Sequence, residues 1–136
     1  MAKIEKFEDL EVWQLAIQTS QYLEELFVTT NLSRNFALKD QMERSSGSLM
    51  DNIAEGFDRD GNKEFHNFLS FSKGSASELK SQAYRAFDKN LISKEQFIIL
   101  SDRCDLVKNK IGALMYYLRN SDIKGQKFKK DNDVIT

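Results

Sequence analysis

Apolar residues recur along this chain at alternating intervals of three and four, the spacing that places side chains on one face of an α-helix. Leu10, Trp13, Ile17, Ser20, Leu23 and Phe27 form a first series, and Leu38, Met42, Ser45, Leu49 and Ile53 a second. Phe65, Phe68, Leu69, Ser72, Ala76, Leu79, Ala83 and Phe87 make a third, and Phe97, Leu100, Cys104, Val107, Ile111, Leu114 and Leu118 a fourth. The pattern predicts four helices over about residues 9–30, 35–58, 62–89 and 94–120.

Residues with a capping mechanism mark the boundaries. Ser93-Lys-Glu-Gln96 has the form of a capping box, with Ile92 and Phe97 placed for a hydrophobic staple. Asp58-Arg-Asp-Gly-Asn62 ends the second helix, Gly61 being free to take positive φ and Asn62 to cap the third. Asn90-Leu91 closes the third helix, Asn31 to Asn35 separates the first two, and Asp9 is the expected first cap. With no proline and six glycines in 136 residues, little else interrupts the helices. The short connections predict antiparallel neighbours, hence an all-α, up-down-up-down four-helix bundle over residues 9–120. Residues 1–8 form a lead-in, and 121–136, which carry no sustained period, are expected to be a disordered tail.

Composition narrows the class. Charged residues make up 30% and hydrophobic ones 40% of the chain, which suits one folded domain. No apolar run approaches the roughly 18 residues of a membrane span, and no apolar stretch follows the N-terminal lysines as a signal peptide requires. A cytoplasmic protein without membrane contact is expected. The single cysteine, Cys104, has no internal disulfide partner and lies on the fourth apolar seam, where it reads as a small core side chain.

Charge is unevenly placed. Residues 1–62 hold 6 basic and 12 acidic side chains, a net charge of −6, whereas residues 63–130 hold 14 and 7, a net charge of +7. The two halves either neutralise each other within the bundle or offer a basic surface to nucleic acid or an acidic protein. The basic positions of the later helices, Lys73, Lys80, Arg85, Lys89, Arg103, Lys108, Lys110 and Arg119, lie mostly off the apolar seams. They become a candidate nucleic-acid surface where oligomerisation gathers them, because phosphate binding grows with the number of charges engaged together.

The second helix carries a further stripe beside its seam, made of Gln41, Arg44, Ser48, Asn52, Glu55 and Arg59. Two readings stand: a polar network within the bundle or between subunits, or a recognition face. Arg44-Ser-Ser-Gly-Ser48 in the same helix and Gly74-Ser-Ala-Ser77 in the third allow close helix approach, either to each other or to another subunit.

Catalytic and metal chemistry finds little support. His66 is the only histidine and reads as a partly exposed surface residue. Asp58-x-Asp60-Gly-Asn62 lacks the remaining ligands of a calcium loop, and Glu55, Glu64 and Glu78 lack the paired histidines of a carboxylate-bridged metal centre. No glycine-rich phosphate loop is present. No metal or cofactor is expected.

Gln41-Met-Glu-Arg-Ser-Ser-Gly-Ser48, Asn52-Ile-Ala-Glu-Gly56, Glu64-Phe, Phe68-Leu69 and Gly74-Ser-Ala-Ser-Glu78-Leu79 resemble the four helix bundle protein family, which includes proteins encoded in intervening sequences of 23S ribosomal RNA genes. The opening Phe7-Glu-Asp-Leu-Glu-Val-Trp13-Gln is similar to that family's start, so the resemblance covers roughly residues 7–120. It implies a left-handed antiparallel bundle that assembles into a ring-shaped homopentamer, in a family whose members generally have no demonstrated enzymatic activity. A relative, the accessory protein of diversity-generating retroelements, binds nucleic acid and a reverse transcriptase through a basic surface of such a ring. The resemblance makes Gln41, Arg44, Ser48, Asn52, Glu55 and Glu78 the characteristic polar positions. The expected function is a non-enzymatic, self-associating accessory factor with RNA or DNA as partner. The alternatives are a protein-binding adaptor without nucleic-acid activity and, more remotely, an enzyme using Glu55 and Arg44.

Overall fold

The computed structural model describes residues 4–121, so from residue 122 onward the expected tail lies outside the described residues. Four α-helices are present, α1 (Glu11–Thr29), α2 (Phe36–Phe57), α3 (Asn62–Asp88) and α4 (Lys94–Arg119), and there is no strand among the described residues. One-turn 3-10 helices at Phe7–Asp9 and Asn31–Arg34 precede α1 and join it to α2.

Local chemistry sets the helix ends. At α4, Ser93 Oγ accepts the Gln96 backbone N–H at 3.1 Å while the Ser93 N–H donates to Gln96 Oε1 at 2.8 Å, a complete capping box. Asn35 caps α2, its Oδ1 accepting the Leu38 N–H at 3.1 Å. α3 ends in a Schellman motif: Asn90 takes φ 59°, its N–H donates to Phe87 O, and the Leu91 N–H donates to Ala86 O. Two expected caps fall elsewhere. Gly61, at φ 88°, occupies the N-cap of α3, so Asn62 is the first helical residue. Asp9 closes the preceding 3-10 turn by accepting the Glu5 and Lys6 N–H groups, which leaves Leu10 as the N-cap of α1.

α2 packs on α3, α3 on α4, and α1 bridges α4 and α2, which completes a four-helix bundle. Two apolar clusters fill it. One joins Ile4, Leu10 and Val12 to Leu49, Ile53, Phe65, Leu69, Ile111 and Leu114. The other joins Leu23, Leu26 and Phe27 to Leu38, Met42, Leu79, Leu100 and Cys104. Full burial of each large apolar side chain contributes roughly 1.5–3 kcal/mol, so these clusters carry the fold. Ile4 in the lead-in is buried among them. Burial, and then the charge of Asp105, pushes the Cys104 thiol up to about 12.

α1 sits turned from its expected face. Val12, Ala16, Thr19 and Leu26 are buried, whereas Trp13, Ile17 and Ser20 are only half-buried. Thr19 is buried without loss because its hydroxyl donates to Leu15 O at 2.8 Å. Trp13 remains at the margin, edge-on to Phe7 at 5.3 Å. Phe87 is likewise displaced to the rim, where it stacks on Phe97.

Candidate interaction groove

The contact between α2 and α3 is built on hydroxyl groups. Ser72 Oγ donates to Leu49 O at 2.9 Å, Ser75 Oγ to Ser48 Oγ at 2.9 Å, and Ser45 Oγ to Glu78 Oε1 at 3.1 Å. Arg85 Nη1 donates to Gln41 Oε1 at 2.8 Å and continues the series along the two helices. The serine-rich stretches therefore do face each other, but Gly47 and Gly74 are not the points of close approach, since a Cβ on either would meet nothing within 4 Å. That role falls to Gly56, where a Cβ would lie 2.6 Å from Phe68 Cβ.

Above this contact lies a shallow groove of about 590 Å³. The guanidinium groups of Arg44 and Arg85 flank it, Ser45, Ser48 and Ser81 line it, and Glu78 stands at its edge. Its floor includes Gln82, 6% exposed, whose Oε1 has no hydrogen-bond partner among the described residues. The groove thus combines two cations, one carboxylate, several hydroxyls and an unused buried acceptor. Such a surface suits polar recognition.

The sequence-derived stripe maps here in part. Gln41, Arg44, Ser48 and Glu78 share the groove. Asn52 lies one turn beyond Ser48, its Nδ2 donating to Ser48 O and Oγ at 2.9 and 3.0 Å. Glu55 and Arg59 pair with each other at 2.7 Å farther along α2, where the Arg59 guanidinium covers the Phe68 ring at 5.0 Å. Arg44 also pairs within its own helix, with Asp40 at 3.1 Å, and its side chain stays 79% exposed. The charged members of the stripe find their partners along α2 and face solvent.

Ser45, Ser81 and Gln82 are the groove residues that sequence reasoning left out of the site. The signal for Ser45 and Gln82 was a polar side chain in the buried phase of a helix, whereas Ser81 is exposed and carried none.

The eight basic positions are distributed around α3 and α4. Lys80 Nζ meets Asp105 at 2.9 Å, and this hydrogen bond pushes its pKa up. Lys110 meets Glu11 at 3.4 Å, Arg103 lies over the Tyr22 ring and Arg119 over Tyr116. Lys73 and Lys108 are half-buried, and Lys89 is exposed at the end of α3. Arg85 alone of the eight lines the groove. His66 is half-buried in a separate recess shared with Lys63 and Arg119, and desolvation, then the Arg119 charge, lowers its pKa.

Among the described residues no three His, Cys, Asp or Glu side chains gather as a metal site, and no helix is long and apolar enough to cross a membrane. Comparison with curated proteins returns no match. The model of the 23S rRNA-intervening sequence protein family matches residues 8–113, from the turn before α1 well into α4, and the chain belongs to that family.

Proposed function

We propose that this chain is a non-enzymatic, self-associating helical bundle that serves as a nucleic-acid-binding accessory factor in the cytoplasm. Family membership across residues 8–113 is the observation that carries this reading, because the family's description ties such chains to intervening sequences of 23S rRNA. An antiparallel up-down-up-down order belongs to the same proposal. The reversed series of partners supports it: Gln41 with Arg85, Ser45 with Glu78, Ser48 with Ser75 and Leu49 with Ser72. The α2–α3 groove supports phosphate binding, since the exposed Arg44 and Arg85 line it beside serine hydroxyls and each has guanidinium N–H groups beyond the one that meets Asp40 or Gln41. Assembly into a homopentamer, as the family resemblance implies, repeats that pair of guanidiniums around one particle.

Titration of labelled mixed-sequence RNA and DNA at about 50 mM and then 200 mM salt tests the reading. Binding that weakens steeply with salt is expected, with Arg44→Ala/Arg85→Ala lowering the salt slope by about one for each arginine that no longer meets a phosphate. Absence of binding at the lower salt removes nucleic acid from the proposal. A protein-binding scaffold is the second reading, favoured by the mixed charge of the groove, where Glu78 stands against the two arginines.

A further inference from the structure

The α1–α2 face carries an open groove of about 300 Å³ that the bundle does not fill. Leu23 and Phe27 line it, and Gly47 leaves space above it, a Cβ there meeting nothing within 4 Å. Ser46 lines the same groove and is 3% exposed, yet its Oγ has no hydrogen-bond partner among the described residues. A buried hydroxyl left unpaired and a mid-helix glycine whose space nothing uses are both unfavourable in an isolated chain. Both are accounted for when a group from another molecule enters the groove.

The walls state what that group is. Glu24 and Glu43 stand at the rim, exposed and without an ion pair among the described residues. Phe27 already receives an ammonium on its ring, Lys39 Nζ lying 5.3 Å from its centroid. Half-buried Ile17 and Trp13 continue the Ser20 line along α1, and half-buried Met50 continues that of Gly47 along α2. The face therefore suits an apolar ridge edged by lysines.

The opposite side of the same molecule carries such a ridge. Tyr84 (55% exposed) and Phe87 (36%) pack on Phe97 between α3 and α4, and exposed Ile98 (44%) follows Phe97 on α4. Lys94 precedes Ile98 by one helical turn and Lys89 ends α3, both exposed and without an ion pair among the described residues. Ridge and groove overlie the same half of the core, since Leu23, Phe27 and Met42 share a cluster with Leu79, Ala86 and Leu100. Among the described residues, 4–62 hold 5 basic and 12 acidic side chains and 63–121 hold 10 and 6, so net charges of −7 and +4 give the two sides opposite sign at longer range.

We propose that copies of this chain join head to tail, the Tyr84–Ile98 ridge of one seated on the α1–α2 groove of the next, with Lys94 reaching Glu24 and Glu43. This rests on the self-association proposed above and assigns its faces. The two surfaces differ, so every copy offers one ridge and one groove, and the assembly closes as a ring or continues as a filament according to the rotation per copy.

Light scattering coupled to size exclusion, with helical content checked by circular dichroism, tests the pairing. Wild type is expected as an oligomer, and Glu24→Lys/Glu43→Lys and Lys89→Glu/Lys94→Glu are each expected at monomer mass. The chain carrying all four substitutions is expected to regain the wild-type mass. Gly47→Gln fills the groove from within a helix that has room for it, and it is expected to be folded and monomeric. Wild-type protein at monomer mass overturns self-association and this proposal together. An oligomeric wild type whose mass survives the Glu24/Glu43 or Gly47 substitutions overturns the assigned faces and leaves self-association standing. Failure of the four-fold variant to recover while remaining helical overturns the Lys–Glu pairing.

Discussion

α2 has two unlike sides. Toward α3 its small residues are engaged: Ser45 and Ser48 are hydrogen-bonded to that helix, and Gly56 lets the helices close until Phe68 would touch an added Cβ at 2.6 Å. Toward α1 its small residues are idle, with Ser46 Oγ unpaired and Gly47 facing open space. A glycine or serine in a helix is thus not by itself a packing device. The register of the opposing helix decides whether the space it leaves becomes a close approach, a hydrogen bond or a vacancy for another molecule.

Substitutions that add or remove single groups on the two sides can break this contrast. Gly56→Ala is expected to have the largest effect, because a backbone-attached Cβ has no rotamer by which to avoid Phe68. Overpacking of this kind costs about 1–3 kcal/mol, outweighing the gain of about 1 kcal/mol in helix propensity, and the midpoint of thermal unfolding should fall by several degrees. An unchanged midpoint would mean that the helices part easily there.

Cys104 probes the core beneath the open α1–α2 groove, where it shares a cluster with Leu23 and Phe27. Its thiol ionises at about 12 in the fold against 9.0 ordinarily, so the folded state retains a proton that the unfolded state loses between those values. The resulting contribution is complete below pH 9.0 and declines as pH rises toward 12. Thermal unfolding across this range should show a decline in stability that is shallower in Cys104→Ala. Native protein at pH 8 should react slowly with a thiol reagent, and fast reaction would show that α1 opens readily.

Ser72→Ala is expected to cost about 1 kcal/mol in denaturant unfolding, through loss of the buried bond to Leu49 O. Gly47→Ala should stabilise the single chain by up to about 1 kcal/mol, since the added methyl meets nothing and favours the helix. Ser46→Ala should be the mildest, a gain of about 0.5 kcal/mol on removing an unpaired hydroxyl. Equal effects at Ser46 and Ser72 would erase the distinction between the two sides.

Elements governed by neighbours in the chain were legible beforehand. The Ser93–Gln96 capping box, the Asn90 helix end and the seams of α2 and α4 follow from caps, turns and spacing that act within a few residues. The face of α1 was not legible in the same way. Trp13, Ile17 and Ser20 kept the three-four spacing as well as Val12, Ala16 and Thr19 did, and the choice between them rested on how closely the rest of the bundle could approach.

The candidate groove divides along the same line. Gln41, Arg44, Ser48 and Glu78 were visible as polar residues in a helical stripe or a recurring motif, whereas Gln82 joined them only because α3 lies beside α2 with that residue facing inward. The sequence by itself determined the capping box that starts α4 and the Asn90 end of α3, which residue types each helix contributes to the core, and that α2 bears a polar stripe. Only the tertiary structure decided that the stripe's charges face solvent, that Gly56 is the close approach, and that Ser46 is left without a partner. The physical reason is that caps and periodicity arise from interactions a few residues apart, whereas burial, hydrogen-bond satisfaction and open space depend on the rotation and distance of a second helix.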